Sequence, residues 1–104
     1  MNLDHMLVFV KVIQSGSFSG AAKTLGMPVT TVSGKVAALE KSLGVSLIQR
    51  TTRRLNITDD GEIVFRRGLR ALEELQAAEN ELTSHGFAGK PTLIYTPFVF
   101  KVAR

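Results

Sequence analysis

The chain has 104 residues, a net charge of +4 and no cysteine. That length supports one small core that gains from association, so a dimer is expected before a monomer. Without cysteine there are no disulfide staples and no cysteine-ligated zinc.

The opening residues, Met1-Asn2-Leu3-Asp4-His5, lack the charged start and small-residue cleavage site of a signal peptide. No apolar run reaches membrane-spanning length, so a cytoplasmic protein with no membrane partner is expected. Charge is unevenly placed. From Lys11 to Arg70 ten Lys or Arg face four acids, whereas Glu73 to Glu81 carries four glutamates and no base. A polyanion would bind the basic body.

Leu3, Met6, Leu7, Val10 and Ile13 fall at helical spacing, with Asn2 as a plausible N-cap and Ser15-Gly16 as a stop. Ser17 or Ser19 can cap a second helix, in which Ala21 and Ala22 admit a close neighbour and Gly26 ends the helix in the left-handed conformation. A third pattern puts Val32, Val36, Leu39 and Leu43 on one face, leaving Thr30, Thr31, Ser33, Gly34 and Lys35 toward the helix start and the other side.

This third helix is the candidate reader of duplex DNA. An α-helix fits the major groove, its N-terminal end favours phosphate, and short hydroxyl side chains let its backbone approach base edges. Thr30, Thr31, Ser33 and Lys35 suit that role, although Thr and Ser at a helix start also serve as simple caps. The following stretch, Leu47 to Thr58, alternates apolar and polar residues around an arginine cluster, as a two-stranded wing would. Arg50, Arg53 and Arg54 offer guanidinium groups to phosphates or to a narrow minor groove.

Asp59 with Glu62 makes a capping-box-like start for a fourth helix, and Thr58 is an alternative cap. That helix is expected to run to about Ser84, some 26 residues or about 39 Å, longer than a domain of this size can cover. Phe65, Leu69, Leu72, Leu75, Ala78 and Leu82 form its apolar stripe, and Arg66, Arg67 and Arg70 its early outer face. An antiparallel pairing of two such helices would make the dimer and set two reading heads apart. Beyond it, His85 to Pro91 reads as a linker and Thr92 to Phe100 as a strand.

Catalytic readings find little support. His5 and His85 lie in different elements without paired carboxylates or a third ligand, and Gly86 and Gly89 lack the Lys-Ser or Lys-Thr of a phosphate loop. No enzyme, catalytic residue, metal or cofactor is expected.

Ala21-Ala22, Leu25, Val32-Ser33, Leu39-Glu40, Leu43-Gly44, Leu47, Arg50 and the close Leu55-Asn56-Ile57-Thr58-Asp59-Asp60-Gly61 together resemble the LysR-type transcriptional regulators. The resemblance covers residues 1 to about 88 and rests on many positions at fixed spacing. It implies a mostly α fold: a winged helix-turn-helix with a three-helix core and two-stranded wing, then a long dimerisation helix. The divisions would be 1–58 for DNA binding, 59–85 for the linker helix, and 86–104 for a linker and the opening of an effector domain. Double-stranded DNA and a second copy of the chain are the implied partners, with a tetramer if an effector domain were present. No small-molecule effector site is expected within these residues. Departures from the family pattern are Gly34, where an arginine or other long polar residue is usual, and Pro28, Val29 and Ile48. Gly34 and the short chain leave a rival reading, an interaction protein that heterodimerises with full-length regulators and antagonises them.

Overall fold

A computed structural model describes residues 1–50 and 55–84; Thr51, Thr52, Arg53, Arg54 and everything after Ser84 lie outside the described residues. The expected linker and strand of residues 86–104 therefore fall outside it. The elements run α1 (Leu3–Ser15), α2 (Phe18–Leu25), α3 (Val29–Leu43), β1 (Ile48–Gln49), β2 (Asn56–Ile57) and α4 (Asp59–Ser84). Two compact units divide the chain at Leu69 and Arg70, so the first turns of α4 belong to the unit that holds the three-helix core.

Local chemistry sets the helix ends. The Asn2 side chain accepts from the His5 N–H at 3.1 Å and caps α1, while Ser17 accepts from the Gly20 N–H at 2.9 Å and caps α2. Gly26 ends α2 with φ 68°, a left-handed conformation that costs an ordinary residue its Cβ clearance. Three residues later the chain is helical again, which makes the tight turn of a helix-turn-helix.

The core is built around α1, and here the expected stripe needs correction. Val8, Phe9, Val10 and Val12 are fully buried and Leu7 nearly so, whereas Leu3 is 52% exposed. Met6 and Ile13 are only half-buried. A single helical face cannot bury both Val8-Phe9 and Met6-Val10. Helices α2 and α3 both pack on α1, and the Met6 and Val10 side chains additionally meet α4 at Gly68. An interior helix with neighbours on several sides is apolar nearly all round, so a one-face periodicity understates it. Helix α2 contributes Ala21, Ala22 and Leu25, and α3 contributes Val32, Val36 and Leu39.

The wing is short and antiparallel, with Ile48 opposite Ile57 and Gln49 opposite Asn56. Leu47 and Ile48 carry its root into the core at 0% and 2% exposure. Thr58 then joins wing to α4. Its N–H donates to the Leu47 carbonyl at 3.0 Å, its hydroxyl donates to the Ser46 carbonyl at 2.7 Å, and the same oxygen accepts from the Gly61 N–H at 2.9 Å. Of the two candidate caps for α4, Thr58 performs the function. Asp59, Asp60 and Glu62 in the first turn complement the positive end of the helix.

Gly61 and Gly68 are both buried and lie seven residues apart, on one face of α4. A Cβ on Gly61 would collide with the Leu47 carbonyl oxygen and stand 2.7 Å from the Ile57 side chain. On Gly68 it would stand 2.7 Å from Val10 and 3.1 Å from the Met6 sulfur. Absence of a side chain at these two places lets α4 lie directly on the wing root and on α1.

Candidate nucleic-acid interface

Helix α3 presents one face of its first two turns to solvent. Thr30, Thr31 and Gly34 are exposed, Val29 is 44% exposed, and Ser33 and Lys35 are half-buried. The N-cap is Pro28, extended and with no side-chain hydrogen bond to the helix; its carbonyl takes the N–H groups of Thr31 and Val32 at 3.0 and 3.1 Å. Thr30, Thr31 and Ser33 therefore do not serve as caps, and among the described residues their hydroxyls enter no hydrogen bond. Three short polar side chains at the positive end of a 15-residue helix are left for an outside partner.

The two described cations of the expected site are already engaged. Lys35 Nζ donates to Asp4 Oδ2 of α1 at 2.5 Å, across 31 positions of sequence. Arg50 Nη1 stands 3.3 Å from Glu40 Oε1, and its Cζ lies 5.5 Å from the centroid of the Phe18 ring. Arg50 thus braces the start of the wing against α2 and α3 as well as offering charge, its side chain being 41% exposed. Arg53 and Arg54 lie outside the described residues.

Glu40 organises this corner. Its Oε2 accepts from the backbone N–H groups of Leu47 and Ile48 at 2.8 and 3.1 Å, while Oε1 faces Arg50. One carboxylate thereby satisfies two donors at the buried wing root and pairs with the Arg50 guanidinium. In the sequence, Leu39-Glu40 stands out only as part of the family pattern, which gives the glutamate no task. A signal was available: an acid in the last turn of a helix opposes the macrodipole and needs a partner elsewhere. Asp4 and Phe18 gave no comparable hint, because their partners lie on other elements.

Elsewhere among the described residues no group of three or more His, Cys, Asp or Glu side chains could hold a metal ion. No described helix is long and apolar enough to cross a membrane.

Residues 3–62 match the family model of the bacterial regulatory helix-turn-helix proteins, lysR family, over more than half of the chain. The chain belongs to the LysR family. Among curated relatives, the HTH-type transcriptional regulator CrgA of Neisseria meningitidis is 49% identical over 81 residues, covering 78% of this chain and 27% of CrgA. The solved structure of CrgA, a LysR-type transcriptional regulator, superposes with TM-score 0.67 at 48% identity, over 81% of this chain and 29% of that one. The crystal structure of BenM_DBD with catB site 1 DNA superposes with TM-score 0.75 at 26% identity, covering 88% of this chain and all of that domain. The fold is thus the winged helix-turn-helix of LysR DNA-binding domains. These relatives are transcriptional regulators rather than enzymes, and the chain spans about a quarter of the length of the curated relatives it matches.

Proposed function

We propose that this chain binds duplex DNA as a dimer, with the N-terminal half of α3 in the major groove and the wing along the flanking phosphates. One observation carries the reading: Thr30 and Thr31 stand exposed on the first turn of a helix whose cap leaves that turn to an outside partner. Their short side chains allow close approach to base edges, and Ser33 one turn on extends the same polar surface. Arg50, with Arg53 and Arg54, would supply sequence-independent contacts that set register and orientation. The LysR-family domain of similar fold in complex with DNA supports this placement.

The test is a fluorescence anisotropy titration of the full chain on a duplex enriched from a randomised pool, with a heterologous duplex as control. Specific binding is expected, with log K falling by about 0.9 per log unit of salt for each phosphate contact. Equal affinity for both duplexes would remove base readout, and affinity independent of salt would remove the phosphate contacts.

Helix α4 supplies the second copy. At about 1.5 Å per residue its 26 residues extend about 39 Å. Phe65, Leu69 and Leu72 are half-buried along it, while Leu75 and Leu82 are 40% and 55% exposed. Those leucines on a helix rich in charge mark the proposed dimer seam. Replacing Leu72 and Leu75 together by Glu is expected to convert dimer to monomer in sedimentation velocity. Dimers that persist in the double variant would put the interface elsewhere.

A further inference from the structure

We infer that Asp4 limits the affinity of this domain for DNA by competing with phosphate for the Lys35 ammonium, an inference that rests on the DNA-binding reading above. Lys35 occupies the second turn of α3, half-buried at the edge of the face that carries the exposed Thr30, Thr31 and Gly34. Its ammonium is held by Asp4 of α1, the two side chains being 28% and 41% exposed. An ion pair so open to water contributes little to folding, because solvent and salt screen it and two side chains must be ordered to make it. Asp4 already has a local use in the first turn of α1, where an acid complements the helix dipole. That use does not require Lys35. What the pair does is point the lysine back at the protein and place a carboxylate next to the surface that phosphates would approach.

A DNA phosphate and the Asp4 carboxylate offer the same ammonium the same kind of contact. Lys35 must leave or share Asp4 to reach the backbone, so the contact is only partly realised. A phosphate contact carries no sequence information. Restraining one lowers affinity for every duplex by a similar factor and leaves base readout by Thr30, Thr31 and Ser33, and with it the ratio of specific to non-specific binding, unchanged.

A mutant cycle on the full chain with a random-sequence duplex tests this, using Asp4→Asn, Lys35→Met and the pair together. Asp4→Asn is expected to tighten non-specific binding roughly 3- to 10-fold at low salt and to steepen the salt slope by up to about 0.9, one released phosphate contact. In the Lys35→Met background the same substitution should change affinity less than about twofold, since the group that Asp4 restrains is gone. Asp4→Asn without effect, or with weaker binding, overturns the inference. An equal gain in both backgrounds also overturns it, by showing that Asp4 acts as a bare charge and not through Lys35. If the unaltered chain binds no duplex, it is the underlying DNA-binding reading that fails. Thermal midpoints of the three variants within a few degrees of the parent exclude misfolding as the cause.

Discussion

Gly61→Ala is expected to destabilise the domain by about 2 kcal/mol, although alanine favours a helix over glycine by about 1 kcal/mol. The sign is decided by what surrounds the new methyl group. It would run into the backbone carbonyl of Leu47, which is held from two sides, by Thr58 donating to that carbonyl and by Glu40 accepting from the Leu47 N–H. Backbone so tied cannot swing aside as a side chain would, and overpacking of this kind costs about 1–3 kcal/mol or more. For a domain whose whole stability is of order 5–15 kcal/mol, a loss of 2 is severe. Thermal denaturation at fixed protein concentration should show a midpoint lower by roughly 10 °C. Gly34→Ala is the internal control. A methyl group there meets nothing within 4 Å, so the ordinary helix preference is realised and the midpoint should rise by a few degrees for a gain of up to about 1 kcal/mol. A Gly61→Ala midpoint that rises as that of Gly34→Ala does would show that the wing root and α4 are not in close contact at Gly61.

The second large effect is expected at Glu40. Glu40→Ala leaves the N–H groups of Leu47 and Ile48 without their acceptor and Arg50 without its carboxylate. A buried donor stripped of its partner costs about 1–3 kcal/mol, so two of them put the loss near 3 kcal/mol even if water recovers part of one. The ion pair with Arg50 adds little to that figure because the guanidinium is exposed. Urea denaturation should report the global loss. Amide hydrogen exchange should report its location, with Leu47 and Ile48 losing protection more than the amides of α1. Glu40→Gln keeps one acceptor oxygen and should fall between the parent and the alanine variant. Parental stability and unchanged exchange in Glu40→Ala would mean that the wing root is held by its apolar packing alone.

These two positions show what a linear reading can and cannot supply. Asn2 and Gly26, and Ser17 as one of two candidates with Ser19, were legible because a cap or a left-handed turn is satisfied by groups within a few positions of itself. The length of α4 was legible for a similar reason, as a helical run with few breaks behind a start that offered two caps, Thr58 and Asp59. The wing was anticipated from alternation and its register observed as Ile48 with Ile57. Its root was harder, because Glu40 joins it from a helix and Thr58 clamps it from the far side. The α1 stripe went partly astray because one helix met three neighbours, and hydrophobic spacing records that a residue is apolar but not how many elements surround it.

The candidate site divides in the same way. Thr30, Thr31 and Ser33 were placed by helical geometry alone, and in the fold they lie on the open part of α3. Lys35 and Arg50 were read from sequence as cations offered to DNA. The fold gives each a carboxylate, one of them 31 positions away.

Local sequence therefore determined the helices and the wing among the described residues, most of their ends, the family and the polar face of α3, since each depends on neighbours along the chain. Tertiary structure alone decided that Gly61 and Gly68 are contact points rather than weak spots in a helix, that Glu40 anchors the wing, and that Asp4 holds Lys35. The physical reason is common to all three. Close packing and charge pairing depend on distances between elements, which arise only after α1, α3, the wing and α4 have come together.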